Sequence, residues 1–311
     1  MDFKIAEEIS SFAPPSAEEL FAPVEGSRMR YLRSGSGPPL ILVHGLMGYS
    51  FSWRFTIPAL SRYATVYAVD QVGTGFSDRP AGLDCHLRAA AARLLGFVEA
   101  VGLTSFDLLG TSHGGAVAMM AASMCAQRPD LKLRKLILVA PVNPWSAHGR
   151  RLAPLLGGRF GSALFLRAIP ALRWTSAYWL SRLYGDRSRI PPGTLEGYLA
   201  PVSTPGSFEY GLGVASHWTE DLQELETAIP RLADFPTLLL WGAADPAVSA
   251  QSAQKLRSHF RLAELVVFPG VGHLAYEECP DQFNASLVDF LTRTDRGGPA
   301  HSPGQRVSGV R

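Results

Sequence analysis

Cysteine is scarce in this chain of 311 residues, and its three cysteines lie far apart. Cys85, Cys125 and Cys279 form no Cys-x-x-Cys pair, so they predict neither a disulfide framework nor a metal site. The chain also lacks an apolar stretch long enough to span a bilayer, and its first eight residues carry acids where a signal peptide would be apolar. These absences favour a reducing, cytoplasmic setting.

An excess of charge of either sign is missing as well. The formal net charge is +2, which is too small to predict nucleic acid as a partner. What the chain does have is 47% hydrophobic and 18% charged residues, a balance that suits a globular enzyme. Its length fits one α/β domain with an insertion, or two modest domains, around a large core. No oligomeric state is predicted.

A Gly-x-Ser-x-Gly sequence follows a short apolar run near the middle of the chain. Residues 106–109 have strand character, and the segment 110–114 leads directly into an Ala- and Met-rich helical stretch. A serine hydroxyl is a weak nucleophile until a base takes its proton, so Ser112 would have to be held where a base can reach it. A tight strand-to-helix turn does this, and Gly110 and Gly114 leave room for close packing. The helix start directs free N–H groups to where an oxyanion would form.

Apolar runs with strand character recur along the chain, with helical periodicity between them. Continuous strands are predicted at residues 40–43, 65–69, 106–109, 135–140, 237–241 and 265–268, and a hairpin at 21–24 and 29–32. Residues 143–230 contain no convincing buried strand, and instead have amphipathic stretches such as 152–156, 160–169 and 171–183. Strands and helices that alternate on both sides of this segment predict a mostly parallel sheet with a helical insertion.

The same patterns divide the chain into segments. We expect a flexible arm at residues 1–18, an α/β core at 19–142 and 231–294, a helical cap at 143–230 and a disordered tail at 295–311.

An aspartate and a histidine each follow a later predicted strand. Asp245 lies in a Gly-Ala-Ala-Asp-Pro turn, and His273 lies in a Gly-Val-Gly-His turn after the next strand. A serine nucleophile needs a general base, and that base needs an acid to orient it. Together with Ser112 these residues occur in the order nucleophile, acid, histidine. The combination resembles the α/β-hydrolase superfamily over about residues 21–293.

The resemblance implies a fold and a set of site residues. The fold is a mostly parallel eight-stranded sheet flanked by helices, with a helical cap inserted after the sixth strand. Ser112 would be the nucleophile, His273 the general base and Asp245 the acid that orients it. The backbone N–H groups of His113 and Leu46 would form the oxyanion hole.

Neither a cofactor nor a metal ion is predicted. The sequence has no recognisable metal-ligand cluster, and the segment 73–75, Gly-Thr-Gly, is too short for a dinucleotide fingerprint. His44 is expected to have a structural role behind the turn that contains Leu46. The ring of His113 is expected to point away from the nucleophile.

These residues predict a serine hydrolase that cleaves small carboxylic esters of apolar acyl or aryl groups. Haloalkane dehalogenases and epoxide hydrolases have an aspartate at the position of Ser112, so their chemistry is not expected here. Aromatic residues of the cap would line the pocket, with Trp174, Tyr178 and Trp179 as candidates. For most of the aromatic residues of the cap, packing within the cap is the better explanation.

Three other functions stay open. The same triad can catalyse the hydrolysis of carbon–carbon bonds or of lactones. Ring-cleavage hydrolases usually have an additional basic residue near the acid, and residues 243–247 contain none. Arginines are mixed with apolar residues in the cap, as in an interfacial helix, so a membrane-associated lipase is a further alternative. A non-catalytic ligand-binding member of the fold is disfavoured by the intact Ser112, Asp245 and His273.

Overall fold

A single sheet of eight strands organises the part of the chain that the computed structural model describes, which is residues 14, 16–146, 149, 158–172 and 175–293. The strand order is β1-β2-β4-β3-β5-β6-β7-β8. The strands are β1 (Glu18–Val24), β2 (Ser27–Ser34), β3 (Pro39–Val43), β4 (Thr65–Val69), β5 (Ser105–Thr111), β6 (Lys132–Val139), β7 (Thr237–Gly242) and β8 (Ala263–Phe268).

Helices connect the strands and cover both faces of the sheet. The α-helices are α1 (Ile57–Leu60), α2 (Leu87–Ala100), α3 (Ser112–Cys125), α4 (Arg159–Leu172), α5 (Ser176–Ser181), α6 (Thr194–Leu199), α7 (Ser207–Ala228), α8 (Gln251–Arg257), α9 (Ala275–Glu278) and α10 (Pro280–Thr292). Short 3₁₀-helices lie at Ser50–Trp53, Arg187–Arg189, Ala200–Ser203 and Ile229–Leu232.

Pairing in the sheet confirms the predicted arrangement. Strand β2 pairs antiparallel with both β1 and β4, and every other neighbouring pair is parallel. The hairpin between β1 and β2 turns at Glu25 and Gly26, whose φ angles are 47° and 77°. Connections between parallel strands run through helices, so the carboxyl ends of β3 to β8 meet at one edge of the sheet.

Strand β3 shows why the central strands are apolar throughout. Leu40 and Leu42 face one buried cluster, whereas Ile41 and Val43 face a second one on the other side of the sheet, and all four are fully buried. Burying such a side chain contributes about 1.5–3 kcal/mol to folding. A continuous apolar run is therefore the pattern of a strand that is covered on both faces.

The helical insertion, residues 143–230, leaves the sheet after β6 and returns at β7. Its described residues form helices and no strand. Helix α4 covers the predicted stretch 160–169 and extends to Leu172. The described remainder of the stretch 171–183 contains the short helix α5, and 152–156 lies outside the described residues. The sequence reading missed the 22-residue helix α7. Buried Tyr210, Val214, Trp218 and Leu222 recur every fourth residue along it, and this pattern could have predicted it.

Two of the expected segments lie largely outside the described residues. Most of the N-terminal arm, residues 1–13 and 15, is not described, and β1 begins at Glu18, one residue before the expected start of the core. Helix α10 ends at Thr292, and the expected tail 295–311 is not described. Among the helices that are described, none has the length and hydropathy needed to cross a bilayer.

Candidate active site

Ser112 lies at an abrupt junction between β5 and α3. The strand ends at Thr111 and the helix begins at the next residue, with Ser112 in the left-handed region at φ 53°. Such a backbone costs on the order of 1–3 kcal/mol at a residue other than glycine. A Cβ atom at Gly114 would lie 2.1 Å from the carbonyl oxygen of His44, so glycine lets α3 begin against the turn that follows β3. Tight packing thus holds the strained serine in place.

The turn after β3 lies directly beside the Ser112 side chain. A Cβ atom at Gly45 would be 3.1 Å from the Cβ of Ser112 and 3.7 Å from its Oγ. The turn is closed by the Gly48 N–H, which donates to the Gly45 carbonyl over 3.0 Å, and Met47 has a φ of 60°. Leu46 lies half-buried at the middle of this turn. The backbone around Leu46 is therefore close to the serine hydroxyl.

His44 supports this turn from behind. Its Nδ1 donates to the carbonyl of Gly45 over 2.7 Å, and its Nε2 accepts from the backbone N–H of Gln71 over 3.1 Å. The ring is fully buried, and this burial lowers the pKa of His44. A neutral ring with one donor and one acceptor matches both contacts. The geometry agrees with the structural role that the sequence suggested.

The side chain of His113 packs against the helical insertion. Its ring stacks on Trp218 of α7, with centroids 6.4 Å apart and planes inclined by 24°. Burial lowers the pKa of His113 to about 4, so the ring is neutral at physiological pH. None of the described residues gives its Nδ1 a hydrogen bond. The contribution of His113 to a reaction would therefore come from its backbone N–H.

Asp245 and His273 are joined by a hydrogen bond. The His273 Nδ1 donates to the Asp245 Oδ2 over 2.7 Å, and the carboxylate is fully buried. The other carboxylate oxygen accepts the N–H groups of Ala247 and Val248, each over 2.8 Å, which fixes the direction of the Asp245 side chain. The His273 N–H donates to the carbonyl of Leu183 over 2.7 Å. With Nδ1 bound to the acid, Nε2 is left to exchange a proton.

These three residues follow three parallel strands of the sheet. Ser112 follows β5, Asp245 follows β7 by a short turn, and His273 follows β8. Because β5 to β8 are neighbours in order, their carboxyl ends place the residues along one edge. This arrangement can support nucleophilic attack by a serine with the help of a histidine.

A buried carboxylate that the sequence reading missed lies four residues after His273. Glu277 accepts both terminal nitrogens of the Arg54 guanidinium, each over 2.9 Å. It also accepts the hydroxyl groups of Tyr184, over 2.5 Å, and of Tyr198. Since both tyrosines belong to the insertion, Glu277 joins the histidine loop to the insertion. Two adjacent acids, directly after the apolar residues 274–276, were the signal in the sequence.

The next residue makes a second connection of the same kind. Glu278, whose side chain is fully buried, accepts the backbone N–H groups of Gly185, Asp186 and Gly272 over 2.8–3.0 Å. Hydrogen bonds to an ionised carboxylate are among the strong ones in proteins. Gly272 directly precedes His273, so Glu278 fixes the histidine loop against residues 185 and 186 of the insertion.

Two of the three predicted pocket aromatics lie on α5 with exposed side chains. Tyr178 and Trp179 on α5 are 53% and 63% exposed and contact each other edge to face, with centroids 5.5 Å apart. Trp174 lies outside the described residues. The exposure of the two described rings gives no support to a lining role. A recess does lie beside the turn after β3, and it is lined by Met47, Gly48, Thr74, Gly75, Arg79, Pro201, Val202 and Ser207.

Comparison with known proteins places the chain among hydrolases. The profile of the alpha/beta hydrolase fold matches residues 38–280. A 2-hydroxymuconate semialdehyde hydrolase of Pseudomonas sp. strain CF600 is 26% identical over 303 residues, which are 91% of this chain and 96% of the relative. A 2-hydroxy-6-oxo-2,4-heptadienoate hydrolase of Pseudomonas putida is 28% identical over 269 residues, 84% of this chain and 91% of the relative.

The fold is also shared with solved structures. An epoxide hydrolase without ligand superposes with a TM-score of 0.74 at 22% identity, covering 88% of this chain and 98% of its own. At this identity the similarity shows only that the two proteins share a fold.

Proposed function

The chain belongs to the α/β-hydrolase fold family and is a hydrolase, and from this premise we propose that it cleaves carboxylic esters of apolar acyl or aryl groups through an acyl-enzyme intermediate. The observation that carries the proposal is the buried Asp245–His273 hydrogen bond of 2.7 Å, on the sheet edge that also holds Ser112. A serine, a histidine and an acid in these positions have the roles of a catalytic triad.

In the proposed reaction the Oγ of Ser112 attacks the carbonyl carbon of the ester while its proton passes to the Nε2 of His273. Asp245 stabilises the imidazolium that forms. The tetrahedral intermediate collapses, the C–O bond breaks, and the leaving alcohol takes the proton from His273. Water then attacks the acyl-enzyme by the same route, which releases the acid and restores Ser112.

The developing oxyanion would be stabilised by two backbone N–H groups. The N–H of His113 lies in the first turn of α3, where no carbonyl of the helix can accept it. The second donor would be the N–H of Leu46. It belongs to the turn after β3, whose residue Gly45 lies beside the Ser112 side chain. Each such donor is worth about 3 kcal/mol of transition-state stabilisation.

An uncharged substrate fits the electrostatics around this site. The turn that carries Asp245 has no basic residue, and the guanidinium of Arg54 is already paired with the Glu277 carboxylate. An anionic acyl group would therefore meet the negative charge of Asp245 without a nearby free cation in that turn. Apolar acyl groups avoid this cost.

Carbon–carbon bond hydrolysis is the second candidate. Two relatives, named as a semialdehyde hydrolase and a heptadienoate hydrolase, align over most of this chain. A heptadienoate is an anion, so such an activity would need a cation near the nucleophile. Arg79 lines the recess beside the turn after β3, but its guanidinium donates to the carbonyls of Gly75 and Ser77. Its Nε has no partner among the described residues.

The nucleophile is tested by Ser112→Ala. We expect the variant to fold and to lose ester turnover by at least about 10³-fold, because members of a triad act as a unit. Ser123→Ala, which changes another buried serine of the same helix, serves as the matched control and should keep its activity. Retention of more than a tenth of the wild-type kcat/KM by Ser112→Ala would disprove the assignment.

The substrate class is tested by a panel of substrates. The kcat/KM values for 4-nitrophenyl esters from acetyl to decanoyl are compared with those for a lactone and for a dienoate ring-cleavage product. Ester hydrolysis predicts the highest values among the esters. If the dienoate is the best substrate and Arg79→Met lowers its kcat/KM selectively, carbon–carbon hydrolysis replaces the proposal.

A further inference from the structure

We propose that His86, His217 and Glu220 bind one divalent transition-metal ion that joins helix α7 of the insertion to the start of helix α2 in the core. These three side chains offer ligand atoms that all lie within 4.8 Å of one another. They take no part in the proposed hydrolysis. Since they come from two elements that are distant in the sequence, no motif spacing pointed to them.

The orientation of His86 is fixed by a neighbouring carboxylate. His86 directly precedes α2, and its Nδ1 lies 3.2 Å from the Oδ1 of Asp221 on α7. The Asp221 side chain is only 8% exposed, so this oxygen is held in place. A proton on Nδ1 that is donated to Asp221 leaves the lone pair on Nε2. Metal-binding histidines are commonly oriented in this way by a carboxylate behind the ring.

The other two groups lie on one face of α7. His217 and Glu220 are three residues apart, and the His217 Nδ1 is 4.0 Å from the Glu220 Oε2. The rings of His86 and His217 lie with their centroids 3.6 Å apart and their planes inclined by 35°. This proximity brings two imidazole nitrogens within reach of one metal ion.

The donor set determines which ions fit. Two imidazole nitrogens and one carboxylate oxygen suit Zn²⁺ and the neighbouring ions Co²⁺, Ni²⁺ and Cu²⁺, and a water would complete four-coordination. Magnesium and calcium ions prefer all-oxygen sites. A tetrahedral ion with bonds near 2.1 Å separates its ligand atoms by about 3.4 Å. Glu220 is 74% exposed, so it can turn freely to close the set.

The position of the site gives it a structural consequence. Trp218 follows His217 in α7 and stacks on His113, the residue after Ser112. An ion bound by nitrogens of both His86 and His217 would therefore hold α7 against the core close to the candidate active site. An ion that binds only the folded chain, and not the unfolded chain, would raise the free energy of unfolding by mass action.

The test uses the full chain without an affinity tag, after removal of metals with a chelator. Calorimetric titration with ZnCl₂ should give one equivalent per chain, and Tm should rise with the zinc concentration. His86→Ala and His217→Ala should each weaken zinc binding at least about tenfold, and Asp221→Asn should weaken it less. His259→Ala removes a half-buried histidine that stacks on Trp145 and should leave zinc binding unchanged.

A substitution of an exposed ligand completes the design. Glu220→Gln changes an exposed side chain, so it should keep the Tm of the metal-free protein while it weakens zinc binding several-fold. Equal affinity in wild type, His86→Ala, His217→Ala and Glu220→Gln would overturn the proposal. So would a Co²⁺ adduct with thiolate charge-transfer bands, which would assign the ion to the cysteines.

Discussion

The helical insertion has two halves that the core holds in different ways. The first, called here the exposed half, comprises α4 and α5, and it leaves Phe160, Leu164 and Trp179 at 94%, 72% and 63% exposure. The second, the anchored half at residues 183–228, is bound by the carboxylates of Glu277 and Glu278. The start of the anchored half therefore differs from the exposed half in its buried hydrogen bonds to the core, rather than in the burial of apolar side chains.

This difference shows that the insertion helps to build the candidate site. The backbone of His273 donates to Leu183, and Glu278 binds Gly272 and the N–H groups of residues 185 and 186 at the same time. The position of His273, the proposed general base, therefore depends on the anchored half. The exposed half makes no such contact among its described residues, and its sequence is free to vary without moving the histidine.

The largest expected effect comes from Glu277→Gln. Removing this charge leaves the mostly buried Arg54 guanidinium without its counter-ion, which costs about 3–5 kcal/mol in comparable buried pairs. The free energy of unfolding in urea measures the cost. Glu226→Gln changes an exposed glutamate of α7 and should cost less than about 0.5 kcal/mol. Similar costs for the two variants would contradict the importance of the buried Arg54–Glu277 pair for holding the anchored half.

A smaller effect is expected from a change of pH on the free energy of unfolding. This pH dependence reports how firmly α7 covers His113. Burial lowers the pKa of His113 to about 4, below its value of about 6.5 in the unfolded chain. The unfolded state therefore binds more protons, and stability falls as the pH falls from 6.5 towards 4. The loss from this group should reach about 2 kcal/mol at pH 5.

The variant His113→Phe isolates this contribution. It keeps a ring against Trp218 and removes the titrating group, so its free energy of unfolding should fall less between pH 7 and pH 5 than that of the wild type. His44, whose pKa burial also lowers, stays in both proteins and cancels in the comparison. Parallel pH profiles would mean that α7 opens readily and lets His113 titrate in water.

The smallest effect is expected from Trp179→Ala in the exposed half. An exposed side chain that touches mainly Tyr178 should cost less than about 0.5 kcal/mol and leave kcat/KM unchanged. The same truncation in the anchored half, Trp218→Ala, should cost about 3–5 kcal/mol because that ring is buried. A shifted acyl-chain preference in Trp179→Ala would instead support the pocket role that the sequence predicted.

Local patterns explain how much of the fold the sequence predicted. Strand β4 has the predicted bounds 65–69, and every predicted strand is found, because apolar runs between turns are readable without knowledge of the partners. Ser112, Asp245 and His273 were located by the turns that contain them, and their catalytic roles stay a prediction.

Features that depend on distant partners were not predictable in this way. The sequence shows an acid at Glu277 but not its partners, and its role follows from Arg54 and Tyr184, which lie far from it in the chain. The approach of His86 to His217 likewise requires α7 to lie against the start of α2. The exposure of Trp179 follows from the placement of α5, which the aromatic composition of the insertion does not determine.

The left-handed backbone at Ser112 bears on how new reactions arise by mutation in such a fold. Its φ of 53° is held by the fit of Gly114 under the His44 carbonyl, and not by the serine side chain. Any L-residue at this position would bear the same strain and project its side chain from the same point. A single substitution at this position can therefore change the side chain presented there while Asp245 and His273 stay in place. Descent within the family can alter the bond that is broken without altering the scaffold.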